Sequence, residues 1–282
     1  MAITSLDQFV SCSTYEIIPF FVGGGGGGTN AALNNCSLFS ATTLTNATSF
    51  SHGVIDLASF PVPISGVTVS GLTTGCIVPT NAAGSNTKYI YGVEAHTLRN
   101  QHVLCDLLWY GSGMTSSTGY TFNINSAAFA PRDLNGTASG VGVHVAIANC
   151  TTSSPVLVTG VYITYTNSNG LSNRTGTLPY IQGSVGFGGS SMLPFSLAAG
   201  DIGVSSIQAY VLPAGLGANT TLIAYTELLE IPNFTQENNP HSSVTIANAG
   251  LPKIYNGASL FFRSPGITTS NTIYGFLKLC EG

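Results

Sequence analysis

The sequence predicts an all-β protein, built as an antiparallel β-sandwich or jelly roll. Hydrophobic residues make up 44% of the 282 residues, which is enough to fill a substantial core. Short stretches of alternating or β-branched residues follow one another between glycine, asparagine, serine and proline, and no long amphipathic helix interrupts them. Many short strands at this spacing are typical of sandwiches, whereas parallel α/β folds need helices between their strands.

The predicted strands are separated by residues that favour turns. In chain order they are VTVSGL, KYIYGVEAH, HVLCDLLWY, YTFNIN, GVHVAIAN, VLVTGVYITYTN, SIQAYVLP, TLIAYTELLEI, SVTIAN, SLFFRS and TIYGFLKL. The dipeptide Asn169-Gly170 predicts a type I′ hairpin turn, because both residue types tolerate a positive φ. Gly200-Asp201 predicts the bend that leads into SIQAYVLP.

Three segments are predicted along the chain. Residues 1–30 form an N-terminal arm with a glycine-rich joint, residues 31–130 a first β-sandwich part, and residues 131–282 a second one. The division near residue 130 depends on the stretch NINSAAFAPRDLNG, in which Pro131 and Gly136 interrupt the strand pattern.

The arm begins with TSLDQFVSC, which predicts one short helix. Ser5 is a suitable N-cap, and Leu6, Phe9 and Val10 share one helical face. The apolar stretch YEIIPFFV follows and contains Phe20 and Phe21.

Six consecutive glycines, Gly23 to Gly28, come directly after this apolar stretch. A phosphate-binding loop needs a lysine and a helix immediately after its glycines, but the first lysine of the chain is Lys88. A dinucleotide fingerprint needs a strand–turn–helix context and a downstream acid, and the sequence shows neither. The run therefore indicates a flexible joint.

Charge is unusually scarce in this protein. Only 6% of the residues are Asp, Glu, Lys or Arg, and the net charge is −4 with seven dispersed basic residues. Nucleic-acid binding is not expected, because it needs a cluster of basic residues. No apolar run is long enough for a membrane helix, and the N-terminal residues show no secretory signal, so no membrane association is expected.

Six cysteines occur at wide and irregular spacings, and none forms a CxxC pair. This usage favours thiols over a disulfide framework or a metal site. A disulfide between Cys105 and Cys150 remains an open alternative.

One cluster could hold a metal ion. If residues 97–101 form a loop, then Glu94, His96, His102 and Asp106 have the parity to share one side of a hairpin. Two imidazoles and two carboxylates can bind a zinc-like ion, but their spacing matches no familiar closed zinc site. We therefore expect no bound metal ion. If one were bound, these four residues would be its candidate ligands.

Catalytic patterns are also missing. No Gly-x-Ser-x-Gly elbow occurs, and Glu227 and Glu230 are three residues apart, which places them on opposite faces of a strand. A Ser–His–Asp triad whose members meet only in space stays open. We expect a protein without enzymatic activity and without a cofactor.

Trp109 and Tyr110 end an apolar strand. An exposed aromatic pair could be a sugar-binding platform, but such a pair more often packs in a core.

Four segments resemble structural proteins of tailed bacteriophages that are encoded near the major capsid protein. The segments are MAITSLDQFV, CDLLWYGSGMTSSTGYTFN, VYITYTNSNGLSNRTGTLP and MLPFSLAAGDIGVSSIQAYVL. The most specific residues are Tyr165-Thr166-Asn167, Gly170, Arg174-Thr175-Gly176, Leu193-Pro194 and Ala199-Gly200-Asp201-Ile202-Gly203-Val204. The glycine run and the cysteine-rich first third depart from the pattern.

The resemblance implies a virion component, an auxiliary head protein that decorates or cements the capsid exterior. Its implied partners are the major capsid protein and copies of itself, as a homotrimer. The arm, with Leu6, Phe9, Val10, Phe20 and Phe21, would then reach a neighbour, so that deleting residues 1–22 weakens assembly and leaves the β body folded. The alternative is a glycan- or host-binding module of a spike or fibre base.

Overall fold

The structure is a computed structural model. It describes residues 12, 14–22, 36–39, 42–43, 63–71, 76–97, 102–116, 118–150, 157–182, 191–213, 218–231, 241–245, 250–265 and 273–282. The predicted helix with Leu6, Phe9 and Val10 and the glycine run lie outside these residues.

All regular secondary structure in the described ranges is β, in several antiparallel sheets, which confirms the predicted all-β class and is consistent with a β-sandwich. The strands are β1 (Thr14–Val22), β2 (Cys36–Phe39), β3 (Thr42–Thr43), β4 (Val67–Thr68), β5 (Lys88–Thr97), β6 (His102–Ser116), β7 (Tyr120–Asn123), β8 (Val143–Cys150), β9 (Leu157–Asn167), β10 (Arg174–Gln182), β11 (Ser191–Pro194), β12 (Val204–Leu212), β13 (Ala218–Ile231), β14 (His241–Thr245), β15 (Lys253–Ile254), β16 (Leu260–Pro265) and β17 (Ile273–Glu281). Every strand pairing is antiparallel. Among these residues no helix is long and apolar enough to cross a membrane.

A seven-stranded sheet forms the centre of the molecule. Its strand order is β13-β8-β11-β2-β16-β6-β4, and β13 also pairs with β6, so that six of its strands close into a ring. Cys105, Leu107, Tyr225 and Phe261 lie in one buried cluster of this sheet. The two longest strands, β6 and β13, pair along almost their whole length.

A smaller sheet packs on each of two sides of this centre. The four-stranded sheet has the order β10-β9-β12-β7, and its Ile163 and Tyr210 share a core with Trp109 and Leu222. The six-stranded sheet has the order β14-β5-β17-β1-β3, with β15 also paired to β5. Its core is shared with side chains of β6, β13 and β16, and comprises Ile18, Phe20, Ile90, Val93, Leu277, Leu279, Leu104, Leu229, Ile231, Leu260 and Phe262, among others.

The strand β1 belongs to the body of the protein. It pairs with β17 over its full length, from Thr14 opposite Glu281 to Val22 opposite Ile273. Phe20 is buried, and its ring lies 4.8 Å from that of Phe262. The expectation that residues up to 22 form an arm separate from the β body is therefore wrong for 14–22, because their alternating apolar residues complete the core of a sheet.

The hairpin predicted near Asn169-Gly170 is present, since β9 pairs with β10. Its turn differs from the predicted type I′, because φ is positive at Gly170 and Asn173 but not at Asn169. The side chain of Asn167 explains this longer turn, because its Oδ1 accepts hydrogen bonds from the backbone N–H groups of Asn169 and Leu171 at 3.0 and 2.9 Å.

Strands from both sides of residue 130 pair with each other. β6 pairs with β13 and β16, β5 with β17, and β7 with β12. Each of the three sheets therefore contains strands from both of the predicted sandwich parts.

Candidate functional site

The residues that carry the phage resemblance meet around one carboxylate, that of Asp201. Tyr165 Oη donates to its Oδ2 at 2.5 Å, Arg174 Nε donates to Oδ2 at 2.9 Å, and Asn167 Nδ2 donates to Oδ1 at 2.8 Å. We call these four residues the Asp201 cluster. Hydrogen bonds from Arg174, Tyr165 and Asn167 lower the pKa of Asp201 to about 2.

This cluster joins the β9–β10 hairpin to the turn before β12. The backbone N–H of Ala198 donates to Tyr165 Oη at 2.9 Å, and that of Ser168 donates to the Gly203 carbonyl at 3.0 Å. A side chain at Gly203 would come within 2.0 Å of the Gly140 carbonyl oxygen, so glycine is required for this close approach. A carboxylate with so low a pKa is a poor general base. The cluster therefore fixes the shape of the hairpin end.

A second carboxylate, Asp106 on β6, forms a buried ion pair with Arg132. Arg132 Nε donates to Asp106 Oδ2 at 2.8 Å and Nη2 to Oδ1 at 3.2 Å, while Nη1 and Nη2 also donate to the carbonyls of Val69 and Leu107. The Ser259 backbone N–H donates to Asp106 Oδ1 at 2.8 Å. Burial raises the pKa of Asp106, and the hydrogen bonds from Arg132 oppose that rise.

Asp133, which follows Arg132 in the chain, organises the loop that comes after it. Its carboxylate accepts hydrogen bonds from the side chains of Thr137 and Ser139 and from backbone N–H groups of residues 135, 137, 140 and 141. These bonds outweigh the opposing effect of burial and lower the pKa of Asp133. In the sequence, PRDLNG interrupts a strand pattern, and an Asp followed by Asn-Gly, Thr and Ser is also a signal for a turn held by side-chain hydrogen bonds.

A cavity of about 480 Å³ with a mixed polar and apolar lining lies between the six-stranded sheet and the central sheet. Its lining includes Asn86, Lys88, Arg132, Lys253, Tyr255 and Asn256. Lys88 is engaged by Glu16 at 2.6 Å, and Arg132 is engaged by Asp106. Lys253 is exposed at the cavity, which has the size of a small-molecule site.

The structure does not bring the four metal candidates into one hairpin. β5, with Glu94 and His96, belongs to the six-stranded sheet, whereas β6, with His102 and Asp106, belongs to the central sheet. Glu94 forms an ion pair with Lys278, and Asp106 is engaged by Arg132. Burial lowers the pKa of His102 to about 4. No group of three or more metal-binding side chains occurs among the residues that the structure describes.

Trp109 and Tyr110, the candidates for a sugar-binding platform, both lie inside the protein. Trp109 is fully buried, its Nε1 donates to the Ser65 carbonyl at 3.2 Å, and its ring lies 5.6 Å from that of Phe129. Tyr110 is also buried, so a sugar platform on this pair is wrong and core packing is confirmed. Glu227 forms an ion pair with Arg263.

The six-stranded sheet exposes apolar side chains on the face that points away from the core. Tyr15, Ile17 and Phe276 are 47%, 57% and 45% exposed. Ile17 lies opposite Lys278 and Pro19 lies opposite Phe276 in the β1–β17 ladder, so alternation places these side chains on one face, opposite to Ile18 and Phe20. We call Tyr15, Ile17 and Phe276 the outer apolar face.

Comparisons with known proteins identify no relative by sequence. No known protein family and no curated protein matches the chain. Among solved structures, infectious bursal disease virus of the Gx strain aligns at a TM-score of 0.19 and 13% identity, over 96% of this chain and 67% of that chain. T=1 particles derived from the same virus align at 0.20 and 13%, over 94% and 63%. The chain spans about two thirds of the length of these proteins, and TM-scores of this size do not establish a shared fold.

Proposed function

We propose that this protein is a non-enzymatic structural component of a virion, which decorates or cements the capsid exterior of a tailed bacteriophage. The sequence resemblance supports this role through residues that form the Asp201 cluster. That cluster holds a hairpin end in shape and offers no activated nucleophile or general base.

The observation that carries the proposal is the outer apolar face. Three large apolar side chains are about half exposed on one face of the six-stranded sheet. Exposed apolar groups of this kind mark surfaces that other proteins cover. Charged residues are only 6% of the chain, and charge is depleted in the centres of protein interfaces.

The proposed partners are the major capsid protein and other copies of this chain. Each copy presents the same outer apolar face, and a closed homotrimer would bury it equally in every copy. The capsid protein would then bind through other surfaces of the trimer.

Electron cryomicroscopy of virions that carry the chain tests the location. We expect density for the three sheets on the outside of the capsid, repeated at symmetry positions. Density on the tail would overturn the decoration role, and absence of the chain from purified virions would overturn the whole proposal.

The outer apolar face is tested by Phe276→Lys in the full-length protein. A charge on this face costs desolvation on association, so we expect a loss of self-association of about tenfold or more by sedimentation velocity. Tyr120→Lys is the matched control, because Tyr120 is an aromatic residue that is 57% exposed in the four-stranded sheet. Equal association of the parent and both variants would contradict the proposed interface.

The cavity between the two sheets favours a second function, glycan binding at the virion surface. Its lining combines the Tyr255 ring with the amides of Asn86 and Asn256 and the amine of Lys253, which are groups that can stack on and bond to a polyol. A glycan array tests this, with Lys253→Ala as the variant. Selective binding that Lys253→Ala abolishes and Lys278→Ala retains would favour this function over a purely structural one.

A further inference from the structure

Two cysteines far apart in the sequence are neighbours in the structure. Cys12 precedes β1, and Cys280 lies near the end of β17. Cys12 packs against the small cluster that contains Tyr89 and Cys280, and the two thiols are in hydrogen-bond contact. Tyr15, which is directly opposite Cys280 in the β1–β17 ladder, lies next to both thiols.

We propose that Cys12 and Cys280 form an intramolecular disulfide by exchange with a small-molecule disulfide such as oxidised glutathione. The bond would fasten the segment before β1 to the last strand of the same sheet. This modification site is independent of the proposed virion role, because it depends only on contacts within one chain.

The exposure of the two sulfurs sets the order of the reaction. Cys280 is 1% exposed, whereas Cys12 is only partly buried and is the thiol that a reagent reaches first. The Cys12 thiolate attacks one sulfur of glutathione disulfide, and one glutathione thiolate leaves. Cys280 then loses its proton and attacks the Cys12 sulfur of the mixed disulfide, and the second glutathione leaves. Two protein thiols are oxidised, and one glutathione disulfide is reduced to two thiols.

The raised pKa of Cys280 makes its attack on the mixed disulfide slow at neutral pH. Burial is the largest cause that raises the pKa of Cys280, to about 12 in the dithiol, and it persists when Cys12 carries glutathione, so little Cys280 thiolate is present. We therefore expect disulfide formation to accelerate as the pH rises from 7 to 9, by about tenfold per pH unit for a step that depends on a small thiolate fraction.

Two further free thiols, Cys76 and Cys105, provide an internal comparison. Cys76 and Cys105 lie buried in the central sheet, at 1% and 0% exposure. Burial raises the pKa of Cys76 further still. Neither is expected to react with glutathione disulfide while the protein is folded.

The experiment incubates the full-length native protein with oxidised glutathione, blocks remaining thiols with an alkylating reagent, and maps the peptides by mass spectrometry. We expect a crosslinked peptide that joins Cys12 and Cys280, lost in both Cys12→Ser and Cys280→Ser. Thiols alkylated at both positions, glutathione retained at Cys12, or a bond from Cys12 to another cysteine would each overturn the proposal.

A thermal measurement tests whether the bond stabilises the fold. Closing so long a loop restricts the unfolded chain, so the oxidised protein should melt at least about 2 °C above the reduced protein. Cys12→Ser should show no such difference between oxidising and reducing conditions. A crosslinked protein without the upward shift would show that the bond does not fasten the sheet.

Discussion

His102 is a buried titratable residue at the start of β6. Its side chain is fully buried, and burial lowers its pKa to about 4 from an ordinary value of 6.5. Below pH 6.5 the unfolded chain binds a proton at His102 that the folded protein does not bind, so stability falls as the pH is lowered. The loss should continue until the pH approaches 4.

We therefore predict that the free energy of unfolding falls by about 2 kcal/mol between pH 7 and pH 5 through His102 alone. Urea denaturation at a series of pH values measures this slope, and His102→Gln should reduce it by that amount. His144→Gln is the comparison, because burial and Arg263 also lower the pKa of His144. An unchanged slope in His102→Gln would contradict the assignment.

The buried pair of Arg132 and Asp106 gives a second prediction at the residue scale. Their side chains are only 3% and 5% exposed, so removing one partner leaves the other buried without its counter-ion. Arg132→Met should lower the free energy of unfolding by about 3–5 kcal/mol. Because two apolar residues need no counter-ion, the double variant with Asp106→Leu should recover part of this loss.

A more exposed ion pair supplies the control for this measurement. The side chains of Arg263 and Glu227 are 17% and 34% exposed, and solvent screens their attraction. Arg263→Gln should therefore cost about 1 kcal/mol or less. Denaturant midpoints at pH 7 compare the variants, and an Arg132→Met loss as small as that of Arg263→Gln would refute the importance of the buried pair.

At the same scale, the turn at Gly200-Asp201 is predictable from the sequence, whereas the hydrogen-bond partners of Asp201 are not. The bend at Gly200-Asp201 was predictable because glycine and aspartate are local turn signals, and φ at Gly200 is indeed positive. The partners of Asp201 were not predictable, because Tyr165 and Arg174 come from strands that only tertiary pairing brings to the turn. The buried Arg132 lies in a chain segment that the sequence marks only by its interrupted strand pattern.

At the scale of elements, β1 is the strand whose position differs most from the sequence prediction. Phe20 is 1% exposed and packs on Phe262, so Phe20→Ala should cost about 3–5 kcal/mol of stability. Tyr120→Ala is the control, since Tyr120 is an aromatic residue that is 57% exposed and lies outside the outer apolar face, so its loss should cost less than about 1 kcal/mol. Thermal or urea unfolding measures both.

The position of β1 also contradicts the expectation that a chain without residues 1–22 keeps a folded β body. Deleting residues 1–22 removes one of the two strands that pair with β17, together with the buried side chains of Ile18 and Phe20, so the truncated protein should lose stability rather than only assembly. A truncation that unfolds at the same denaturant concentration as the full chain would contradict the integral role of β1.

The sequence patterns do not determine which β-strands pair with each other. The strand patterns identified most of the strands, because alternation records which face is buried. They also suggested that β5 and β6 form a hairpin, whereas these consecutive strands lie in different sheets. Neighbours in sequence pair often but not always, and only burial across the whole molecule selects the partner.

At the scale of the whole molecule, two cores share the strands β6 and β13. Leu104 and Leu229 face the core of the six-stranded sheet, while Trp109 and Leu222 face that of the four-stranded sheet. A loss of order in either core therefore disturbs strands that the other core needs. We predict one cooperative unfolding transition for the protein.

Calorimetry of two core variants checks this prediction. Ile163→Ala in the four-stranded sheet and Leu277→Ala in the six-stranded sheet should each cost about 2–5 kcal/mol and lower the same single transition. Two transitions, each moved by only one of the variants, would show that the sheets unfold independently.

The pairing of β1 with β17 also sets a delay during synthesis. The ribosome makes Thr14–Val22 early, but the strand that pairs with this segment, Ile273–Glu281, follows only after about 250 further residues. At typical elongation rates this interval is on the order of ten seconds or more. During that time Ile18 and Phe20 lack the cover that they have in the finished sheet, so the nascent chain presents a strand that a holdase chaperone can bind.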